Sequence, residues 1–133
     1  MATWDFAQSL SGAGDKMVTL LAGEGGWAKG DPLVLSSTTA GAWVRASAAT
    51  AKPKYVAQST TAVGVNGVAV PASPLNVFRV AMTGAGTVGA QYDLTVTTMT
   101  INTSGTTTKA VEIIGIDETD TTIAYAIGRG WLA

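Results

Sequence analysis

The chain has no cysteine and no histidine among its 133 residues. The first absence excludes disulfides and thiolate metal sites and leaves the redox compartment unreadable. Together the two absences remove the usual nucleophile and base pairings of acyl-transfer enzymes. Charge is scarce as well: 13% of residues carry it, about half the usual share, and 8 basic residues stand against 9 acidic ones. Lys16, Lys29, Arg45, Lys52, Lys54, Arg79, Lys109 and Arg129 are scattered singly, with only Lys52-Pro53-Lys54 locally dense. A phosphate-tracking surface needs clustered cations, so nucleic acid is not an expected partner. No apolar run approaches the ~20 residues of a membrane span, and Met1 to Asp5 shows no basic region leading into an apolar one. A soluble, unprocessed chain with no membrane partner is expected.

What is present is 47% apolar residue, enough to build one core at this length. The apolar residues recur in short runs rich in Val, Ile, Thr and Tyr, cut by Gly, Asn, Asp and Pro, which is the pattern of strands and turns. Strands are expected at Met17 to Ala22, Leu33 to Ser36, Ala42 to Ala46, Tyr55 to Gln58, Asn76 to Met82, Tyr92 to Thr100, Ala110 to Ile116 and Ile123 to Ile127. The turn at Thr39-Ala40-Gly41 predicts a hairpin between the second and third of these. Asn66-Gly67, set between alternating valines, predicts a two-residue type I′ hairpin, because both central residues of that turn need positive φ. No window carries a sustained helical stripe, although Thr3 to Leu10 has room for one or two helical turns capped by Thr3. The expected fold is all-β, a small antiparallel β-barrel or β-sandwich with an extended N-terminal arm. Residues 1–15 are read as that arm and 16–133 as a single β domain. A faint echo links Gly30-Asp31-Pro32-Leu33-Val34-Leu35 with Gly89 to Val96, but two weak copies do not make a repeat protein.

Most motifs have a plain structural reading. Gly84-Ala85-Gly86-Thr87-Val88-Gly89 spells the dinucleotide fingerprint G-x-G-x-x-G, yet the β-branched Tyr92 to Thr98 follows where a helix should open, so a glycine loop is expected. Asp117, Glu118 and Asp120 lack calcium-loop spacing and read as a solvated hairpin tip. Asp15, Glu24, Asp31, Asp93 and Glu112 contain the material for a glycosidase carboxylate pair, but no spacing brings two together. Asn102-Thr103-Ser104 is a formal glycosylation sequon without a secretory context. No catalytic assembly, cofactor or metal is expected. Lys29-Gly30-Asp31 before Pro32 reads as turn chemistry ahead of a strand, with adhesive display as the alternative. Trp27 and Trp43 flank the first hairpin and are assigned to core or rim. Large apolar side chains near the chain ends (Trp4, Phe6, Leu10, Trp131 and Leu132) imply that something holds those ends down, either the chain's own barrel or a partner.

The run Trp27 to Leu35, the Gly turn Gly41-Ala42-Trp43-Val44, the Ala/Thr-rich Ala46 to Lys52 and Tyr55-Val56-Ala57 together resemble a recurring pattern. It is similar to the Gly-Asp strand, turn, strand and Gly-Val-Ala pattern of the small head decoration, or cement, proteins of tailed bacteriophages, over residues 27 to 100. Tyr55 stands where that pattern more often has Gly. The resemblance implies a non-enzymatic virion protein made in the bacterial cytoplasm, bound to the outer capsid surface. Its partners would be the major capsid protein and further copies of itself, usually as a trimer. Trp4, Phe6, Leu10, Trp131 and Leu132 are then candidate capsid or subunit contacts. A receptor- or carbohydrate-binding β module that uses Trp27 or Trp43 as a sugar platform, a head-fibre or tail component, and a small carboxylate hydrolase are the alternatives.

Overall fold

The computed structural model describes residues 4–10 and 17–131, and all regular secondary structure among them is strand. The protein is all-β. The strands are β1 (Asp5–Ser9), β2 (Val18–Ala22), β3 (Pro32–Leu35), β4 (Ala42–Arg45), β5 (Tyr55–Ala57) and β6 (Asn66–Pro71). They are followed by β7 (Asn76–Ala81), β8 (Gln91–Thr95), β9 (Thr100–Asn102), β10 (Val111–Ile116) and β11 (Ile123–Gly128). β2 to β6 close into a barrel in the order β2-β4-β3-β5-β6. The other six form a sheet in the order β1-β7-β11-β10-β8-β9. This sheet also curls back on itself. Beyond the end of β7, Met82 bridges Ile101 of β9 in parallel, and the Thr83 N–H donates to the Ile101 carbonyl at 2.9 Å.

The two groups are wired alike. In each, the first strand meets the third in parallel and the fifth antiparallel. The second strand pairs with the third and fourth, and the fourth with the fifth. The register repeats as well. The Gly30 N–H donates to the Ala57 carbonyl and the Gly89 N–H to that of Ile113, both at 2.8 Å. Gly30 and Gly89 share a positive φ, 91° and 89°, that a side chain would strain. Ala57 lies opposite Ala69 and Ala69 opposite Val18, just as Ile113 lies opposite Ala126 and Ala126 opposite Phe78. The echo between Gly30 and Gly89 is therefore the legible part of a true structural repeat, with β2–β6 and β7–β11 as its copies and β1 as an added strand.

Three local expectations are corrected. Asn66-Gly67 is not a hairpin turn: both residues lie inside β6, opposite Leu21 and Leu20. The chain reverses earlier, where the Val65 N–H donates to the Ala62 carbonyl at 3.2 Å and Gly64 takes a φ of 78°. Gly67 is needed for closeness instead, because a Cβ there would collide with the Thr61 side chain. Tyr92 to Thr100 breaks into β8 and β9, joined by a turn over residues 96–99 in which buried Met99 adopts a φ of 53°. Asp5 to Ser9 form a strand rather than helical turns, because β1 finds an edge on β7 and pairs Asp5 with Arg79 and Phe6 with Phe78, while Thr3, the expected cap, lies outside the described residues.

Two of the barrel strands, β5 and β6, are covered on both faces. Along β5 and β6 the alternation sends Val56 and Val70 into the core shared with the curled sheet, while Ala57 and Ala69 turn into the barrel with Leu33, Trp27 and Ala22. The shared core is built on Phe78, Leu94, Met99, Ile101 and Ile113. Trp4 belongs to it at 1% exposure, with its ring 5.6 Å from Phe78, and its backbone N–H reaches across to the Gly30 carbonyl at 3.0 Å. The N-terminal aromatic thus joins both repeats. Trp4→Ala is expected to cost about 3–5 kcal/mol of stability, measured by urea unfolding of the full chain; a loss below about 1 kcal/mol would mean that β1 is dispensable to the core.

Candidate interaction surface

One exposed apolar cluster is assembled from separate strands. Leu35 and Leu33 of β3 lie opposite Trp43 of β4 and Tyr55 of β5 respectively, so all four share a face. Leu33 is fully buried in the barrel, whereas Leu35, at the strand's end, emerges 57% exposed. Trp43 meets Tyr55 edge to face at 4.9 Å, and Tyr55 meets Trp131 in the same way at 5.4 Å. The Lys54 ammonium lies 4.5 Å from the Trp131 ring centre, within cation–π range.

Trp131 is brought here by a clasp between the two repeats. Its indole N–H donates to the Lys54 carbonyl at 2.7 Å, and the Lys54 ammonium donates to the Gly130 carbonyl at 3.0 Å. Gly130 has no Cβ to strike the Pro53 carbonyl it passes. The outcome is a patch of Leu35, Trp43, Tyr55 and Trp131, with Trp131 47% exposed and the Lys54 ammonium beside it. Contiguous exposed apolar surface of this kind marks interaction sites, and Trp and Tyr are the residues that most often dominate interface energetics. A smaller apolar pair lies elsewhere: the Leu10 N–H donates to the Leu75 carbonyl at 2.6 Å, and both side chains are at least half exposed.

The candidate contact residues therefore separate. Trp4 is spent in the chain's own core, and Phe6 is half-buried against Phe78 at 5.9 Å. Leu10 and Trp131 are exposed in different settings, and Leu132 lies outside the described residues. Leu35 and Tyr55 are not among the contact residues expected from the sequence. The one signal for Leu35 was its place as the last apolar residue of an alternating run. Trp27, at 4% exposure, lies inside the barrel and cannot serve as a sugar platform. The Lys29-Gly30-Asp31 triplet is a turn: Asp31 is 3% exposed and accepts the Ala28 N–H at 2.9 Å.

Several of the carboxylates have structural partners of their own. Asp93 accepts three consecutive N–H groups, from Thr107, Thr108 and Lys109, and so shapes the loop between β9 and β10. Asp117 accepts Arg79 through two nitrogens, at 2.9 and 3.2 Å, on one oxygen and the Thr119 hydroxyl and N–H on the other. The Thr119 bonds, followed by Arg79, hold the Asp117 carboxyl far below the usual range. Glu112 bonds Gln91 and approaches Arg129. Gly84 to Gly89 links β7 to β8 with no helix after it, and among the described residues no group of three or more acidic side chains is placed to hold a metal ion.

Glu24 ties the loop before β3 to the loop after it. It accepts the Ser36 hydroxyl at 2.6 Å and the Thr39 hydroxyl at 3.2 Å. The Ser36 and Thr38 hydroxyls lower its carboxyl from 4.5 to about 2. Comparison with family models, with curated proteins and with solved structures gives no match for this chain.

Because the folded value of Glu24 lies below the unfolded one, its contribution is fully present above about pH 4.5 and is lost as the pH falls through about 2. Thermal melts recorded from pH 6 down to 2 should therefore show a shallower acid-side loss in Glu24→Gln than in the wild type. Parallel slopes would remove Glu24 from the acid response.

Proposed function

We propose that this chain is a non-enzymatic structural protein of a tailed-phage virion that attaches to the outer surface of the assembled capsid and stabilises contacts between capsid subunits. The observation that carries this reading is the apolar patch of exposed Leu35 and Trp131 with half-buried Trp43 and Tyr55 on a chain with few charges. Permanent attachment profits from aromatic anchors that exclude water, and it needs no long-range steering charge. The decoration-protein pattern of residues 27 to 100 supports the same reading, since its quoted motifs fall on β3, β4 and β5, which carry three of the four patch residues. Attachment as a trimer, through the major capsid protein, follows the resemblance. The protein would be made in the host cytoplasm and reside on the virion.

A second reading has its own observation. Half-buried Trp43 and Tyr55, exposed Trp131 and the adjacent Lys54 have the chemistry of a carbohydrate platform, in which ring faces stack on sugar C–H groups and a cation engages hydroxyls.

Cosedimentation with emptied capsid shells distinguishes the two. Wild-type protein should bind saturably, and Leu35→Lys, an exposed change, should weaken binding by about tenfold or more, equivalent to about 1.4 kcal/mol. Saturable glycan binding by the isolated protein, with none to shells, would establish the platform reading instead.

A further inference from the structure

The repeat exposes a difference between its copies. In the second copy, β7 has β11 along one edge, and its other edge is shared: Met82 meets β9, while Asn76 to Arg79 are covered by β1. In the first copy, β2 has β6 along one edge, and its other edge meets β4 only at Leu21 and Ala22. Because Val18 takes the place of Phe78 in the shared register, Thr19 takes the place of Arg79, and Arg79 is the residue that β1 pairs through Asp5. The slot that β1 fills on β7 has no strand in it on β2 among the described residues.

The backbone there faces outward. Val68 lies opposite Thr19, yet its N–H donates to the Ser59 hydroxyl at 3.1 Å and its carbonyl accepts the Gln58 N–H at 2.8 Å, both away from β2. Antiparallel pairs alternate, so the N–H and C=O of Thr19 also point away from β6, toward the open edge. Met17 is 54% exposed and Thr19 is exposed. Met17-Val18-Thr19-Leu20 holds none of the charges or prolines that blunt a sheet edge. A cavity of about 220 Å³ opens beside Met17, lined also by Trp4, Asp5 and Phe6 from the N-terminal strand region and by Lys29, Ala57 and Gln58.

We infer that the Met17 to Leu20 edge is a strand-docking site for an extended segment of a partner polypeptide, the counterpart of β1 on β7. The segment runs antiparallel to β2 and bonds the Thr19 backbone. It sets an aromatic or large aliphatic side chain opposite Val18, where the first copy lacks the ring that Phe6 places against Phe78. This is β-strand addition, in which main-chain bonds supply affinity and alternate side chains supply specificity. It requires no capsid and stands apart from the attachment proposed above.

The probe is a fluorescent synthetic heptapeptide with the sequence of residues 4–10, titrated into the full-length protein. Saturable binding is expected, together with at least tenfold slower hydrogen exchange at the Thr19 amide and unchanged exchange at Arg79. Thr19→Pro removes the outward N–H without touching the β6 ladder, so it should keep its melting temperature and weaken peptide binding at least tenfold. The inference is overturned by absence of saturable binding, by a Thr19 amide already protected in the free protein, or by protection changing at Arg79 as the peptide exchanges with β1. It is equally overturned if a folded Thr19→Pro variant binds as the wild type does. If that variant fails to fold, the Thr19 amide in the wild type decides.

Discussion

Two-sided burial of β5 and β6 is the constraint on which the rest of this protein depends. Val56 and Val70 face the curled sheet while Ala57 and Ala69, one residue along, face the barrel interior, so β5 and β6 are buried on both sides. Slipping either strand by one residue would exchange valines for alanines in both cores at once, leaving voids in one and collisions in the other. Register is therefore set twice over. The ordering of the loops follows from it, because the strand ends must leave the barrel where the pairing puts them. Loops are then fixed by bonds of their own: Asp93 cradles three successive N–H groups in the second copy, and Glu24 bridges two loops of the first.

The same five-strand plan supports two different interiors. Where the barrel has Val18, Leu33 and Ala57, the second copy has Phe78, Tyr92 and Ile113. The larger residues fill the shared core, and the added strand β1 brings Trp4 and Phe6 to complete it. The first copy is lined by smaller side chains around Trp27 and draws its closure from its own β6. Division of labour between the copies explains why aromatic residues from both chain ends are held down: Trp4 locks the second copy to Gly30 of the first, and Trp131 locks the end of β11 to Lys54.

Much of the strand pattern was legible because alternation of Val, Ile and Thr between Gly and Asp is itself the physical condition for a pleated, half-buried strand. Turn chemistry was less dependable. Asn66-Gly67 carries the letters of a type I′ turn, yet the glycine is there so that the Thr61 side chain can approach, a demand that arises only between residues joined by the fold. The N-terminal strand was missed because five residues with no strong alternation become a strand only when β7 offers an edge. In the candidate surface, Trp131 stood out as a large apolar residue near a chain end, whereas Leu35 and Tyr55 are ordinary strand residues until the barrel brings them together.

By itself, the sequence determined the all-β class, the positions of most strands, the absence of thiol and imidazole chemistry, and the weak electrostatics of the surface. These depend on composition and on neighbours within a few residues. Only the tertiary structure decided that the chain is a repeat, that Trp4 is core and Trp131 surface, and which strand edge stays open. Each of these is a relation between residues tens of positions apart. A repeat can keep its pairing while exchanging nearly every side chain, because backbone hydrogen bonds hold the plan and each core has only to be filled to its own volume.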